Sequence, residues 1–599
     1  MDRVIICSNI KSMEIYFKND DRVYSYTCVD PYPYEIERFL QNRRYKKSDI
    51  NEGCGLIDFK KEYIDFIGKL NRHYNSIYWW ANTVSCKGTF ASNLCKDIFN
   101  YYCLISLIKS HDRNFIVFSS SFILNTCIDK YCRENDIECK LLDTPRINYI
   151  LVHFKRFCAS SLYFLLDGWR RKFLAHFYFS KTVKKLPKGR SYYIIRSWID
   201  KRSFSERAGY SDLYFGSLPE YLKQKTREFI ILGGTLTDYR DLFGQIKRIG
   251  RYAIIPQEFF VAYFDYLKVL VFNFMRRPKI VKPITFYGLE VTDLVKESLR
   301  KDYEYGEINK NLIYYYYIKG LLKKIKVDTF AYPFENQAWE KMSIFAIREY
   351  SPKTKIIGYA HSSFRPYLLN YFYAREEQDI APLPDKIVTV GKEFKMILEE
   401  LGNYKNKVEL SEGCALRNEY IFKKDRITRN KNGKILAALS MDINYSVKLF
   451  RLLYDVLAGN DKYKVILRSH PFMPVEMIIE PYNLRLANNF QISKGLRFEE
   501  DLKDTSLLVY TDTTASMDAL ICGVPVVHLD IKEPLSIDPL FNLNSLKWTV
   551  SDKEGLCRII DYVSNMDEKE YLEKYNDAMA YLRRYFYPVE EKYLREFIT

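Results

Sequence analysis

The sequence predicts an α/β protein built on parallel sheets. In its second half, short β-rich apolar runs alternate with amphipathic stretches of helical length, the pattern of strands joined by crossover helices. One stretch, Leu507 to Asp530 (LLVYTDTTASMDALICGVPVVHLD), reads as a buried strand, a hydroxyl-rich turn, a short helix, a Gly-x-Pro break and a second buried strand. A chain of 599 residues at 47% hydrophobic content exceeds one core and implies two or three domains.

The first half carries apolar runs that read as strands at Arg3–Ser8, Ser76–Ala81 (SIYWWA), Asn114–Ser120, Ser191–Ser197, Glu228–Gly234, Arg251–Gln257, Val327–Pro333 and Lys355–His361. Among them lies a basic, aromatic insertion at 151–190, with ten Lys or Arg and one acid, Asp167. It suits a membrane interface or a surface-helix pair. AREEQDIAPLP (Ala374 to Pro384) reads as a linker. These features give an N-terminal α/β domain over 1–375.

A second, Rossmann-like domain is expected over 376–567. Its strands are Lys386–Gly391, Lys407–Gly413, Lys434–Ser440, Lys464–Pro471, Asn489–Gly495, Leu507–Asp512 and Val524–Asp530, with helices at Tyr445–Ala458 and Ser516–Cys522. Helices over 568–599 are expected to cross back to the N-terminal domain, and the two domains to face each other across a cleft.

The balance of 92 Lys+Arg to 75 Asp+Glu, +17 in all, favours anionic partners. No ribonucleoprotein signature or zinc-knuckle spacing supports nucleic acid. The 13 cysteines form no C-x-x-C pair or Cys/His cluster, which argues against a disulfide framework and structural zinc. The two most apolar stretches, Tyr149–Trp169 and Phe259–Phe274, are broken by charges, and neither offers the ~20 clean apolar residues of a span. With no signal-peptide h-region after Met1, the expected location is cytoplasmic or peripheral on the inner membrane face.

Two turns carry the chemistry. The strand KVILRSHP places His470 and Pro471 at the carboxyl edge of a sheet, where ligands of open α/β folds bind. The turn at Thr511–Ser516 reaches the same edge, and its helix start attracts an anion. GxxxxGK[ST] is absent, Gly233-Gly234-Thr235 reads as plain turn chemistry, and no Asp-x-Asp metal site is present, so no cofactor or metal is expected.

The succession KVILRSHP, then YTDTTASMDALICGVPVVHLD, resembles the donor-binding half of GT-B glycosyltransferases. It is most similar to bacterial surface-polysaccharide enzymes with HP and Ser/Thr-Ser/Thr motifs: the CMP-sugar (sialyl and Kdo) transferases and the CDP-glycerol-type transferases. SEGCALRNEYIF (Ser411 to Phe422) resembles the glycine-and-arginine segment ahead of their donor strands, and GYAHSSF (Gly358 to Phe364) resembles their GxxHG element. The resemblance spans Asp328 to Asp530. It implies that His470 and Thr513 or Thr514 contact the donor phosphate, with Pro471, Ser516, Gly413 and Arg417 in the same donor site. Asp518 stands where many relatives have a Glu that grips a ribose.

Inverting transfer also needs a general base on the opposing domain. Glu335, just beyond a strand, is the first choice, although a carboxylate at a helix start also serves as a cap. His361 is the second choice, and Arg365 is a further phosphate partner. The expected function is a glycosyltransferase of capsule or lipopolysaccharide synthesis, inverting and metal-independent. It would take a CMP-sugar and a glycan or lipid-linked acceptor. A CDP-glycerol-type polyol-phosphate transferase and a nucleotide-sugar epimerase are the alternatives.

Overall fold

The computed structural model describes residues 3–598 apart from 19, 21, 30–33, 54–57, 111–113, 143–145, 206–208, 236–237, 250, 405–406, 424–428, 432, 472, 481–484, 496–497 and 534. Three parallel sheets follow one another along the chain. The N-terminal sheet has five strands within residues 4–141, from Val4–Cys7 to Cys139–Leu141. The central sheet has seven, in the order Ile254–Pro256, Phe229–Thr235, Ser191–Ile199, Lys326–Pro333, Lys355–Ala360, Lys386–Thr389 and Glu409–Glu412. The C-terminal sheet has six, in the order Phe490–Ile492, Val465–Arg468, Lys434–Ala438, Thr505–Tyr510, Val526–Leu529 and Lys547–Val550.

Numbered within each sheet along the chain, the central and C-terminal strands run 3-2-1-4-5-6-7 and 3-2-1-4-5-6. This is the doubly wound Rossmann order, in which the crossovers reverse direction between strands 1 and 4 and leave a crevice at the carboxyl ends. Both lobes of the expected α/β fold are therefore present, and the carboxyl ends of the two sheets open into one cleft. The core strands are near-continuous apolar runs because both sheet faces are covered, as in Ile356 and Ile357 or Leu508 and Val509, all fully buried.

Several elements differ from the sequence reading. SIYWWA is a short helix, Ile77–Trp80, because the Ser76 side chain accepts from Trp79 N–H and caps it. Both indoles are buried, and their N–H groups donate to Asn71 at 2.7 Å and Asn75 at 2.8 Å. The strands Lys386–Thr389 and Glu409–Glu412, read as part of a domain starting at 376, pair in the central sheet instead. The lobes therefore divide between Glu412 and Lys434. The linker at 374–384 is a packed corner, in which buried Glu377 pairs with buried Lys87 and accepts from Ala374 N–H at 2.9 Å. Within residues 4–141 the chain forms a third α/β unit with its own parallel sheet, so the expected N-terminal domain over 1–375 holds two sheets.

The basic insertion is one long helix, Arg146–Lys184, on the outside of the central lobe. No helix among the described residues is long and apolar enough to cross a membrane. The chain passes between the central and C-terminal lobes twice, outward after Glu412 and back at the end of the helix Glu568–Tyr585. The crossings touch: Ala415 N–H donates to Tyr587 O at 2.9 Å, and Tyr587 N–H to Val390 O at 2.9 Å. That helix begins on the C-terminal lobe, where Tyr571 Oη donates to Gly523 O at 2.6 Å. It ends on the central lobe, where Tyr585 Oη accepts from Phe364 N–H at 2.5 Å.

Candidate functional site

A cleft of about 650 Å³ lies where the two sheets face each other, and every functional side chain in it follows a strand's carboxyl end. From the central lobe come Glu335 after Lys326–Pro333, His361 and Arg365 after Lys355–Ala360, and Arg417 after Glu409–Glu412. From the C-terminal lobe come Ser440 to Asp442 after strand 1, His470 after strand 2 and Asp512 to Thr514 after strand 4. The C-terminal set thus brackets that sheet's switch point. Gly88 and Phe90 of the N-terminal unit close one wall.

The capping role open to Glu335 belongs to its neighbour Glu340. The Glu340 carboxylate accepts from the backbone N–H groups of Glu335, Asn336 and Gln337 at 3.0, 2.9 and 3.1 Å, so Glu340 supplies the helix cap. The Glu335 carboxylate lies 3.4 Å from His361 Nε2, and its side chain keeps 45% of its surface open to the cleft. Enclosure by the surrounding protein raises its pKa above the usual carboxylate range, while the Arg417 charge pulls the other way.

His361 is fully enclosed. Burial pushes its imidazole well below the usual range, and Arg417, with Nη1 3.5 Å from Nδ1, pushes it further, so the ring is neutral. The Tyr214 ring sits 4.8 Å from His361 and lies 5.0 Å beneath the Arg417 guanidinium. Asp212 fixes that loop by accepting from Tyr214 N–H at 2.9 Å, Phe215 N–H at 2.8 Å and Ser197 Oγ at 2.8 Å. His470 is also held below its usual range, chiefly by burial and against the opposing pull of Asp512.

Arg365 reaches across the cleft to Asp512, with Nη1 3.5 Å from Oδ2. Among the described residues, three buried polar atoms on one loop of the cleft have no hydrogen-bond partner: Ser363 Oγ, Arg365 Nε and His361 Nε2, which lies 3.4 Å from the charged Glu335. An unsatisfied buried polar atom costs about 1–3 kcal/mol, so this loop carries a cost at the cleft wall.

The cleft brings together Glu335, His361, Arg365, Arg417, His470, Thr513, Thr514 and Asp518. Three sequence candidates do not line it. Ser516 is buried, and its hydroxyl donates to Thr513 O at 2.9 Å, closing the turn from within. Gly413 is a packing glycine, since a Cβ there would stand 2.3 Å from Val388 Cγ1 and 2.8 Å from Thr389 O. Pro471 is exposed in a turn closed by Met473 N–H donating to His470 O at 2.9 Å. The helix after Thr514 is short, Ala515–Ile521, and Arg365 and Arg417 place two guanidiniums in the same cleft.

Sequence reasoning missed Tyr214 and the Ser440–Asp442 turn. Asp442 caps the helix Ile443–Leu457, accepting from Asn444 N–H at 2.8 Å. Its signal was legible: KILAALSMD is an apolar run ending in Ser and Asp, like LLVYTD. Among the described residues no group of three or more His, Cys, Asp or Glu is arranged to hold a metal ion.

No family model and no curated protein matches this sequence. Solved structures match it over about two thirds of its length. S. aureus MnaA with UDP is 11% identical, covering 66% of this chain and 95% of its own, with a TM-score of 0.39. A glycosyltransferase from Rickettsia africae ESF-5 is 15% identical, covering 68% and 97%, with a TM-score of 0.37. The UDP-GlcNAc 2-epimerase of Methanocaldococcus jannaschii in complex with UDP-GlcNAc and UDP is 13% identical, covering 65% and 100%, with a TM-score of 0.37.

Proposed function

We propose that the protein transfers a glycosyl group from a nucleotide-activated donor to a hydroxyl of a glycan or lipid-linked acceptor, in the synthesis of a bacterial surface polysaccharide such as capsule or lipopolysaccharide. One observation carries the reading. Two Rossmann-ordered sheets turn their carboxyl ends into a single cleft, with a raised-pKa carboxylate on one side and His470 and the Thr513-Thr514 turn on the other. The hydroxyl acceptor loses its proton to Glu335 as its oxygen bonds to the anomeric carbon. The bond from that carbon to the donor phosphate breaks, and the phosphate leaves with the electron pair, its charge met by Arg365 and Arg417 and its oxygen by a hydrogen bond from the His470 ring. Neutral His361 donates or accepts a hydrogen bond beside the reacting centre.

The resemblance of KVILRSHP and YTDTTAS to CMP-sugar transferases supports a CMP-sugar, with a nonulosonic acid or Kdo as the sugar. The cleft lining offers two guanidiniums, one already beside Asp512, for the donor's negative charges, and the carboxylates of Glu335, Asp442, Asp512 and Asp518 as acceptors for its hydroxyls.

Thermal shift with CMP, CDP and UDP tests the donor, and stabilisation by UDP alone would overturn the cytidine choice. Mass spectrometry of products then tests the reaction. CMP released together with a glycosylated acceptor supports the proposal. A glycerol-phosphate product assigns polyol-phosphate transfer, and donor isomerised without acceptor assigns an epimerase.

A further inference from the structure

We propose that the outward faces of the helices Arg146–Lys184 and Tyr263–Met275 form a docking surface for an anionic lipid bilayer. The helices pack against each other on the outside of the central lobe: the Phe164 and Tyr266 rings lie 5.4 Å apart, and Trp169 Nε1 donates to Tyr263 O at 3.0 Å. Their inner faces are thereby satisfied. Their outer faces are apolar where a solvated helix would be polar.

On the long helix, Leu151, Leu162, Leu166, Phe173 and Phe177 recur at helical spacing along one exposed stripe, with Phe177 67% exposed. From Leu151 to Phe177 the stripe runs about 39 Å at 1.5 Å per residue. The second helix exposes Phe264, Val271, Phe274 and Met275, with Phe274 75% exposed.

Charge selects the occupant. Exposed Lys155, Arg170, Lys181 and Lys184 lie on or beside the stripe, and the second helix runs directly into exposed Arg276, Arg277 and Lys279. The two acids on these helices are already engaged. Asp167 accepts from Arg171 Nε at 2.7 Å, and Asp265 accepts from Ala262 N–H at 3.0 Å and Lys268 Nζ at 3.1 Å. Large apolar side chains flanked by cations match an anionic lipid surface, where rings and aliphatic chains enter the acyl boundary and ammonium and guanidinium groups meet phosphates. With no spanning helix among the described residues, these helices lie on the bilayer.

Co-sedimentation of the full chain with phosphatidylglycerol/phosphatidylcholine vesicles, against phosphatidylcholine alone, tests the surface. Binding to the anionic vesicles only, weakened by salt, is expected. Phe173→Ser/Phe177→Ser lowers partitioning at least about tenfold through the lost apolar burial, and Lys155→Gln/Arg170→Gln about fivefold per charge removed. Both variants keep the wild-type melting temperature and nucleotide response, because their side chains are exposed and remote from the cleft. Failure of docking is therefore distinguishable from failure of the catalytic reading. No binding by the wild type, equal binding to neutral vesicles, or undiminished binding by both variants overturns the proposal. So does a dimer in sedimentation velocity that Phe173→Ser/Phe177→Ser dissolves, which assigns the face to a second copy.

Discussion

Replacing Glu335 with Gln separates its chemistry from its place in the fold. The helix start is capped by Glu340, and the Glu335 carboxylate is 45% exposed, so the change leaves stability within about 0.5 kcal/mol. Its effect falls on proton transfer. A positioned base contributes about a hundredfold to ten-thousandfold in rate. His361 Nε2, 3.4 Å away, remains as a weaker acceptor in the variant, which places the expected loss in kcat at the lower end. A drop of about a hundredfold to a thousandfold corresponds to about 3 to 4 kcal/mol of transition-state stabilisation. A base works deprotonated, so the wild-type rate climbs with pH through the Glu335 pKa, which burial lifts above the ordinary value. The assay is kcat against pH with a saturating donor and a water-soluble acceptor. The acid limb should vanish in Glu335→Gln and persist in His361→Asn. A limb that survives in the Gln variant, or moves with His361, refutes the assignment.

Three further outcomes follow from the same geometry. Lys87→Met strands the fully buried Glu377 carboxylate, whose remaining donors Asn71 and Ala374 N–H keep the loss near about 3 kcal/mol in urea unfolding; adding Glu377→Gln should restore at least about 1 kcal/mol. Gly413→Ala destabilises by about 1–3 kcal/mol through overpacking against Val388 and Thr389, while nucleotide affinity of the folded fraction holds; a selective loss of affinity would return Gly413 to the donor site. His361 is neutral when folded and titrates normally when unfolded, so the unfolded chain binds the extra proton and stability falls as pH drops below about 6.5. In His361→Asn the dependence between pH 5 and 6 should be shallower by up to about 1.4 kcal/mol per pH unit, read by urea unfolding at each pH.

The cleft residues were legible wherever an apolar run ended in a distinctive turn. KVILRSHP, LLVYTD and KIIGYAH all resolve as strands whose next residues face the ligand space, because burial on both faces makes such strands continuous in the sequence. SIYWWA was misread because four apolar residues fit a strand or a helical turn equally. The deciding signal was Ser76, a cap. Sheet membership of Lys386–Thr389 and Glu409–Glu412 was not legible, since which lobe a strand joins depends on partners far away in sequence. The linker reading failed for a related reason: polar Glu377 looks like solvent-facing chain until its buried partner Lys87, 290 residues away, is known. Ser516 and Gly413 carry motif-like identities, yet one closes its own turn and the other makes room for a neighbouring strand.

The two chain crossings between the lobes, joined at Ala415 and Tyr587, behave mechanically as a pair of hinge pins on one line. Two adjacent covalent links favour rotation about that line, as of a door, and a widening of the cleft would have to break the other contacts onto the C-terminal lobe, among them Tyr367 N–H to Ser536 O at 3.0 Å and Lys96 to Glu533 at 3.2 Å. Arg417 lies two residues from one pin, and Arg365 follows Phe364, whose N–H meets Tyr585 two residues before the other. Both guanidiniums therefore sit near the pivot, where displacement is smallest, while His470 and the Thr513-Thr514 turn move with the swinging lobe. Such a door would divide the partners proposed for the phosphate, drawing His470 away while the two guanidiniums stay near the pivot.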